Sequence, residues 1–143
     1  KNGCSIICDV NGLVGLLNKQ NPKDFGNEVI CNISDSSVIE AAKKDGKTRA
    51  EVSMRLVSSE MNGGIVAIGN APTALYEVLK MVKEGITKPA LIIGIPVGFI
   101  AAAESKDELC SSNIPFITNV GRKGGSSCAA AAINALFKLI RQS

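Results

Sequence analysis

At 143 residues, 45% hydrophobic and 20% charged, the chain is long enough to bury a core and too apolar to remain disordered. A net charge of +3 with dispersed cations and only 3% aromatics disfavours a nucleic-acid stacking platform, while leaving room for a small anionic ligand. Histidine is absent, so no Ser-His-Asp or Cys-His arrangement can form within the chain, and a zinc site is disfavoured.

In chain order, five short apolar runs predict strands at 5–8, 28–32, 65–68, 91–95 and 116–119. Three of them are continuous and rich in β-branched residues, which suits strands covered on both faces. Helical period predicts helices over 10–17, 36–44, 48–59, 72–84, 101–109 and 126–140. Leu75, Val78, Leu79 and Val82 make one core-facing stripe, and Gly85 stands where a helix would close. The polar stretch 18–24 reads as a surface loop. Alternating strands and helices imply an α/β fold with three layers: a doubly wound, mostly parallel sheet with helices on both faces, in a single domain over 1–143.

The longest apolar stretch, 90–103, is too short for a membrane span and contains Gly94, Pro96 and Gly98. A strand, an elbow and a helix start account for it. Cys4, Cys8, Cys31, Cys110 and Cys128 are scattered without a Cys-x-x-Cys pair, and they read as structural thiols of a reducing cytoplasm. The first residues carry neither an initiator methionine nor a signal-peptide pattern, so the chain is expected to begin mid-protein.

Two elbows draw the eye to one end of the sheet. Gly69-Asn70-Ala71-Pro72 follows an apolar strand and opens a helix with proline at its first position. Pro96-Val97-Gly98 follows the next strand. Open parallel sheets hold ligands at such strand ends. Either the first elbow is a plain connection, or Gly69 admits a ligand to the backbone and Asn70 supplies polar contacts. Gly121-Arg122-Lys123-Gly124-Gly125-Ser126 is either an anion cradle at a helix start or a solvated basic turn; it fits neither the Walker nor the dinucleotide spacing. Thr48 and Glu51 have the spacing of a capping box. Arg49 then falls in the first turn, where the helix dipole disfavours a cation, as an arginine meant for a substrate carboxylate would. Arg55, about 120° around the helix, reads as a surface ion-pair partner. Asp9 can be a general base, a loop anchor or the cap of the next helix, and capping is the reading preferred here.

Taken together, Ile7-Cys8-Asp9-Val10-Asn11, Thr48-Arg49-Ala50 and the stretches 26–31, 66–75, 88–90, 94–99, 102–106 and 121–126 resemble the precorrin-8X methylmutase family of vitamin B12 biosynthesis. The resemblance runs the full length in the same order. It implies a doubly wound α/β homodimer that uses no cofactor and a migration that needs no metal; the cytoplasmic location rests on the thiols. The reaction it implies is an isomerisation moving one methyl group from carbon eleven to carbon twelve of a tetrapyrrole. That turns precorrin-8X into hydrogenobyrinic acid, or the cobalt analogue into cobyrinic acid. The family's proton donor is a histidine in an N-terminal segment that this sequence lacks, so no catalytic residue is expected here. Substrate binding is expected at Asp9, Thr48, Arg49, Gly69 and Asn70. The second elbow and the basic loop add Pro96, Val97, Gly98, Arg122, Gly124, Gly125 and Ser126. Gly12 departs from the methionine common in the family. Two other readings stay open: a corrinoid carrier without catalysis, and a phosphate-ligand α/β enzyme using the loop 121–126.

Overall fold

A computed structural model describes residues 3–142. Among these residues five strands form one sheet: β1 (Ile6–Cys8), β2 (Val29–Ile30), β3 (Ile65–Ile68), β4 (Leu91–Gly94) and β5 (Phe116–Thr118). Their spatial order is β2-β1-β3-β4-β5, and every pairing is parallel. Among the described residues, seven helices connect and flank them: α1 (Asn11–Leu16), α2 (Gln20–Phe25), α3 (Ser36–Asp45), α4 (Arg49–Leu56), α5 (Pro72–Lys83), α6 (Ala102–Cys110) and α7 (Ser126–Gln142).

Alternation along each strand divides the core between two faces. Ile7, Val66, Ile68 and Ile92 pack against Met54 of α4, Leu75 and Val78 of α5, and Leu109 of α6. Ile6, Cys8, Ala67 and Ile93 pack against Leu13 of α1 and Ala129, Ala130, Ile133 and Phe137 of α7. The expected three layers are therefore present, with the sheet covered on both sides. All five expected strands are found, though β2 keeps only two residues of its run.

The stretch read as a surface loop is the exception. Residues Gln20–Phe25 form α2, whose Pro22 is buried. The Asn18 side chain accepts the N–H of Gln20, and the left-handed Gly26 ends the helix by donating to Lys23. From α7, Arg141 donates to Asn21 (2.8 Å), pairs with Asp24 and lies 5.2 Å from the Phe25 ring. That ion pair, with a further bond from Gln20, holds the Asp24 carboxyl below the usual carboxylate range.

All five cysteines are free thiols. Cys8 lies in the sheet at 1% exposure. Burial, and secondarily the neighbouring Cys31 and Asp9, push its thiol up to about 12. At pH 8 only about one Cys8 in ten thousand would be thiolate. Ellman's reagent at that pH is expected to consume exposed Cys110 and Cys128 first, and Cys8 only once the chain unfolds. Fast modification of Cys8 in the native protein, located by peptide mapping, would contradict its burial.

Candidate functional site

The strand order reverses between β1 and β3, and the chain at the carboxyl ends of these strands is tied together by one carboxylate. Asp9, directly after β1, is fully buried. Its Oδ1 accepts the N–H of Gly69 (2.9 Å), and its Oδ2 accepts those of Asn70 (2.9 Å) and Ala71 (2.8 Å). Burial pushes the carboxyl above its ordinary range, against a smaller opposite pull from the three amides.

This corrects the preference for Asp9 as cap of the next helix. The cap position of α1 is Val10, with no side-chain bond. Asp9 instead serves the turn into α5, sixty residues on. Ala71, the cap residue of α5, has no side chain able to accept an amide, and Pro72 at the first position needs no acceptor. The carboxylate from the neighbouring strand instead fixes the turn ahead of the helix, accepting the amides of Gly69, Asn70 and Ala71 itself.

The other elbows meet at the same rim. The N–H of Ile95 donates to Ile68 (2.9 Å), that of Val97 to Asn70 (3.4 Å), that of Gly98 to Arg122 (3.1 Å), and that of Gly125 to Ile95 (3.0 Å). Asp9, Gly69, Asn70, Pro96, Val97, Gly98, Arg122, Gly124, Gly125 and Ser126 are thus drawn into one region. Thr48 borders it, its Oγ1 lying 3.4 Å from that of Thr73 in the first turn of α5.

The glycines divide into two kinds. A Cβ on Gly69 would sit 2.7 Å from Cα of Ser126, and the N–H of Gly69 is already spent on Asp9. The space expected for a ligand is filled by the start of α7, so Gly69 is small to admit the chain itself. Gly124 is similar, with Ile95 O at 2.5 Å and Pro96 O at 2.7 Å from a would-be Cβ. Gly98 (φ 143°) and Gly125 (φ 125°) face open space.

Thr48 caps α4 as the spacing predicts: its Oγ1 accepts the N–H of Glu51 (3.1 Å), while Glu51 accepts that of Thr48 (2.9 Å). Arg49 is exposed and makes no ion pair among the described residues. It borders a surface hollow shared with Lys43 and Lys47, three cations without an acid. Arg55 pairs instead with Glu77 (2.5 Å) and Glu84 (3.7 Å) of the α5 region. Its partner Glu77 is buried, so this pair is more than a surface contact.

Lys106 escaped the sequence reading. It lies in α6 at 1% exposure, and its Nζ donates to the carbonyls of Gly121 (2.9 Å) and Lys123 (2.6 Å). Burial lowers its pKa from the usual lysine range. Nothing in the pattern Glu104-Ser105-Lys106 marks this lysine as buried; its partners are on a loop fifteen or more residues away. Around the same loop, Phe99, Ile100 and Val120 stand at 86%, 87% and 94% exposure, and Arg122 lies 5.0 Å from the centre of the Phe99 ring. A hollow of about 430 Å³ between the last turns of α5 and α6 lies at the other end of these helices and is crossed by the Lys83–Glu108 pair. It has no part in the rim.

A sequence profile of the precorrin-8X methylmutase family matches residues 1–139. The chain belongs to the precorrin-8X methylmutase family. It is 52% identical over 136 residues to a cobalt-precorrin-8 methylmutase of Priestia megaterium, covering 95% of this chain and 60% of that protein. A precorrin-8X methylmutase of Sinorhizobium is 45% identical over 141 residues, with 96% and 66% covered. Among solved structures, the precorrin-8X methylmutase of Thermus thermophilus superposes with a TM-score of 0.88 at 34% identity, covering 98% of this chain and 68% of that one. The chain therefore spans about three fifths of the length of the Priestia methylmutase.

Proposed function

We propose that this chain is the tetrapyrrole-binding scaffold of an isomerase that moves a methyl group from carbon eleven to carbon twelve of precorrin-8X or its cobalt form. The product is hydrogenobyrinic or cobyrinic acid. Family membership over residues 1–139, joined to the meeting of three elbows at the strand ends, carries the reading. Such a substrate is flat, apolar across its ring and acidic around its edge. Exposed Phe99, Ile100 and Val120 suit the ring, and Arg122 beside them, with Arg49 in a hollow it shares with Lys43 and Lys47, suits the carboxylates.

The chemistry asked of the protein is small. Protonating the conjugated macrocycle makes the receiving carbon electron-poor, and a rigid pocket selects which migration follows. The 143 residues contain no histidine, and the family resemblance, rather than this absence, is what gives the proton to a histidine. A homodimer and a cytoplasmic location belong to the same reading.

The test is a titration of the protein with hydrogenobyrinic acid, followed in the visible spectrum, against ATP and NAD as competitors. Saturable binding unaffected by the nucleotides is expected; displacement by ATP or NAD would favour a phosphate-ligand enzyme. In the intact protein, Arg49→Ala is expected to weaken product binding by about 1.5–3 kcal/mol, the worth of a charge-assisted bond shielded by the bound ring. Unchanged affinity would remove Arg49 from the site.

A further inference from the structure

We propose that Lys106 is a positioning residue that turns the Arg122 and Gly124 amides outward to receive a carboxylate of the tetrapyrrole. The proposal rests on the functional reading above and extends it to a specific donor pair. Lys106 Nζ holds the carbonyls of Gly121 and Lys123, and Asn119 Nδ2 reinforces the second at 2.9 Å. In a trans peptide the C=O and the following N–H point in opposite directions. Pinning these two carbonyls toward α6 therefore aims the N–H groups of Arg122 and Gly124 away from it. Neither N–H has an acceptor among the described residues, whereas the next one, of Gly125, is spent on Ile95.

Two features make this more than a loop tether. The ammonium is buried at 1% exposure, so its charge is poorly screened and polarises the two peptide units it grips. A carbonyl that accepts a charge-assisted bond leaves its own amide N–H a stronger donor. The Arg122 side chain, over Phe99, stands on the same loop and adds a full positive charge beside the pair.

The experiment uses the full-length methylmutase. Titrating the ¹⁵N-labelled protein with hydrogenobyrinic acid is expected to move the Arg122 and Gly124 amide protons downfield. Lys106→Met is expected to raise KM for precorrin-8X at least tenfold, with kcat within threefold and Lys106→Arg recovering part of the loss. Titration of other resonances with these two amides unmoved would overturn the proposal while leaving tetrapyrrole binding intact. A fall in kcat at unchanged KM would overturn it as well. If Lys106→Met fails to fold, the amide shifts of the unaltered protein decide alone. If no resonance titrates at all, the functional reading falls, and this proposal with it.

Discussion

Asp9→Ala is expected to cost about 3–4 kcal/mol of stability and roughly 10 °C in melting temperature. The substitution strips three backbone amides of their acceptors at once. Each amide left unsatisfied in a buried place costs about 1–3 kcal/mol. Asn70 is exposed, so water can replace part of what is lost there, and the three costs do not simply add. Asp9→Asn is expected to recover less than half, because its amide nitrogen would face an N–H where an acceptor is needed. Thermal unfolding followed by circular dichroism measures the effect. Binding should suffer even where the fold survives, since the turn 69–71 would lose its fixed position against β1. A melting temperature unchanged by Asp9→Ala would mean that the carboxylate does not hold the turn.

Gly124→Ala is expected to destabilise the protein by about 2–4 kcal/mol and to weaken tetrapyrrole binding together with it. The added Cβ meets backbone oxygens of Ile95 and Pro96 at 2.5 and 2.7 Å, and neither is a flexible side chain that can swing aside. The loop 121–126 must then part from the second elbow, stretching the Gly125–Ile95 bond of 3.0 Å. Gly15→Ala is the matched control. A Cβ there touches nothing within 4 Å, and the site is an exposed position of α1, so a gain of about 0.5–1 kcal/mol is expected. Equal effects from the two substitutions would mean that the lost freedom of the unfolded chain, common to any Gly→Ala change, rather than the contact between loops, sets the outcome at Gly124.

Much of this protein follows from local rules that a chain obeys wherever it is. Buried parallel strands need continuous apolar runs, and Ile65–Ile68 and Leu91–Gly94 formed where such runs stand. The Thr48–Glu51 capping box and the proline opening α5 involve partners within one turn, so their spacing alone specified them. The order of motifs along the chain was enough to point to the family, because eight spaced segments rarely coincide by chance. Asp9, Gly69, Lys106 and α2 obeyed other rules. Each owes its role to a neighbour that only folding supplies: the turn after β3 for Asp9, the start of α7 for Gly69, the loop 121–123 for Lys106, and Arg141 for α2. Residues 18–24 carry polar side chains that look solvated in the sequence, yet Asn134 and Arg141 of α7 return across more than a hundred residues to bond them. Hydrogen bonds and close contacts act over about 3 Å of space without regard to sequence separation. Patterns of polarity therefore indicate which segments can form strands and helices, while the pairing of strands and the packing of helices select the side chains that hold the rim in place.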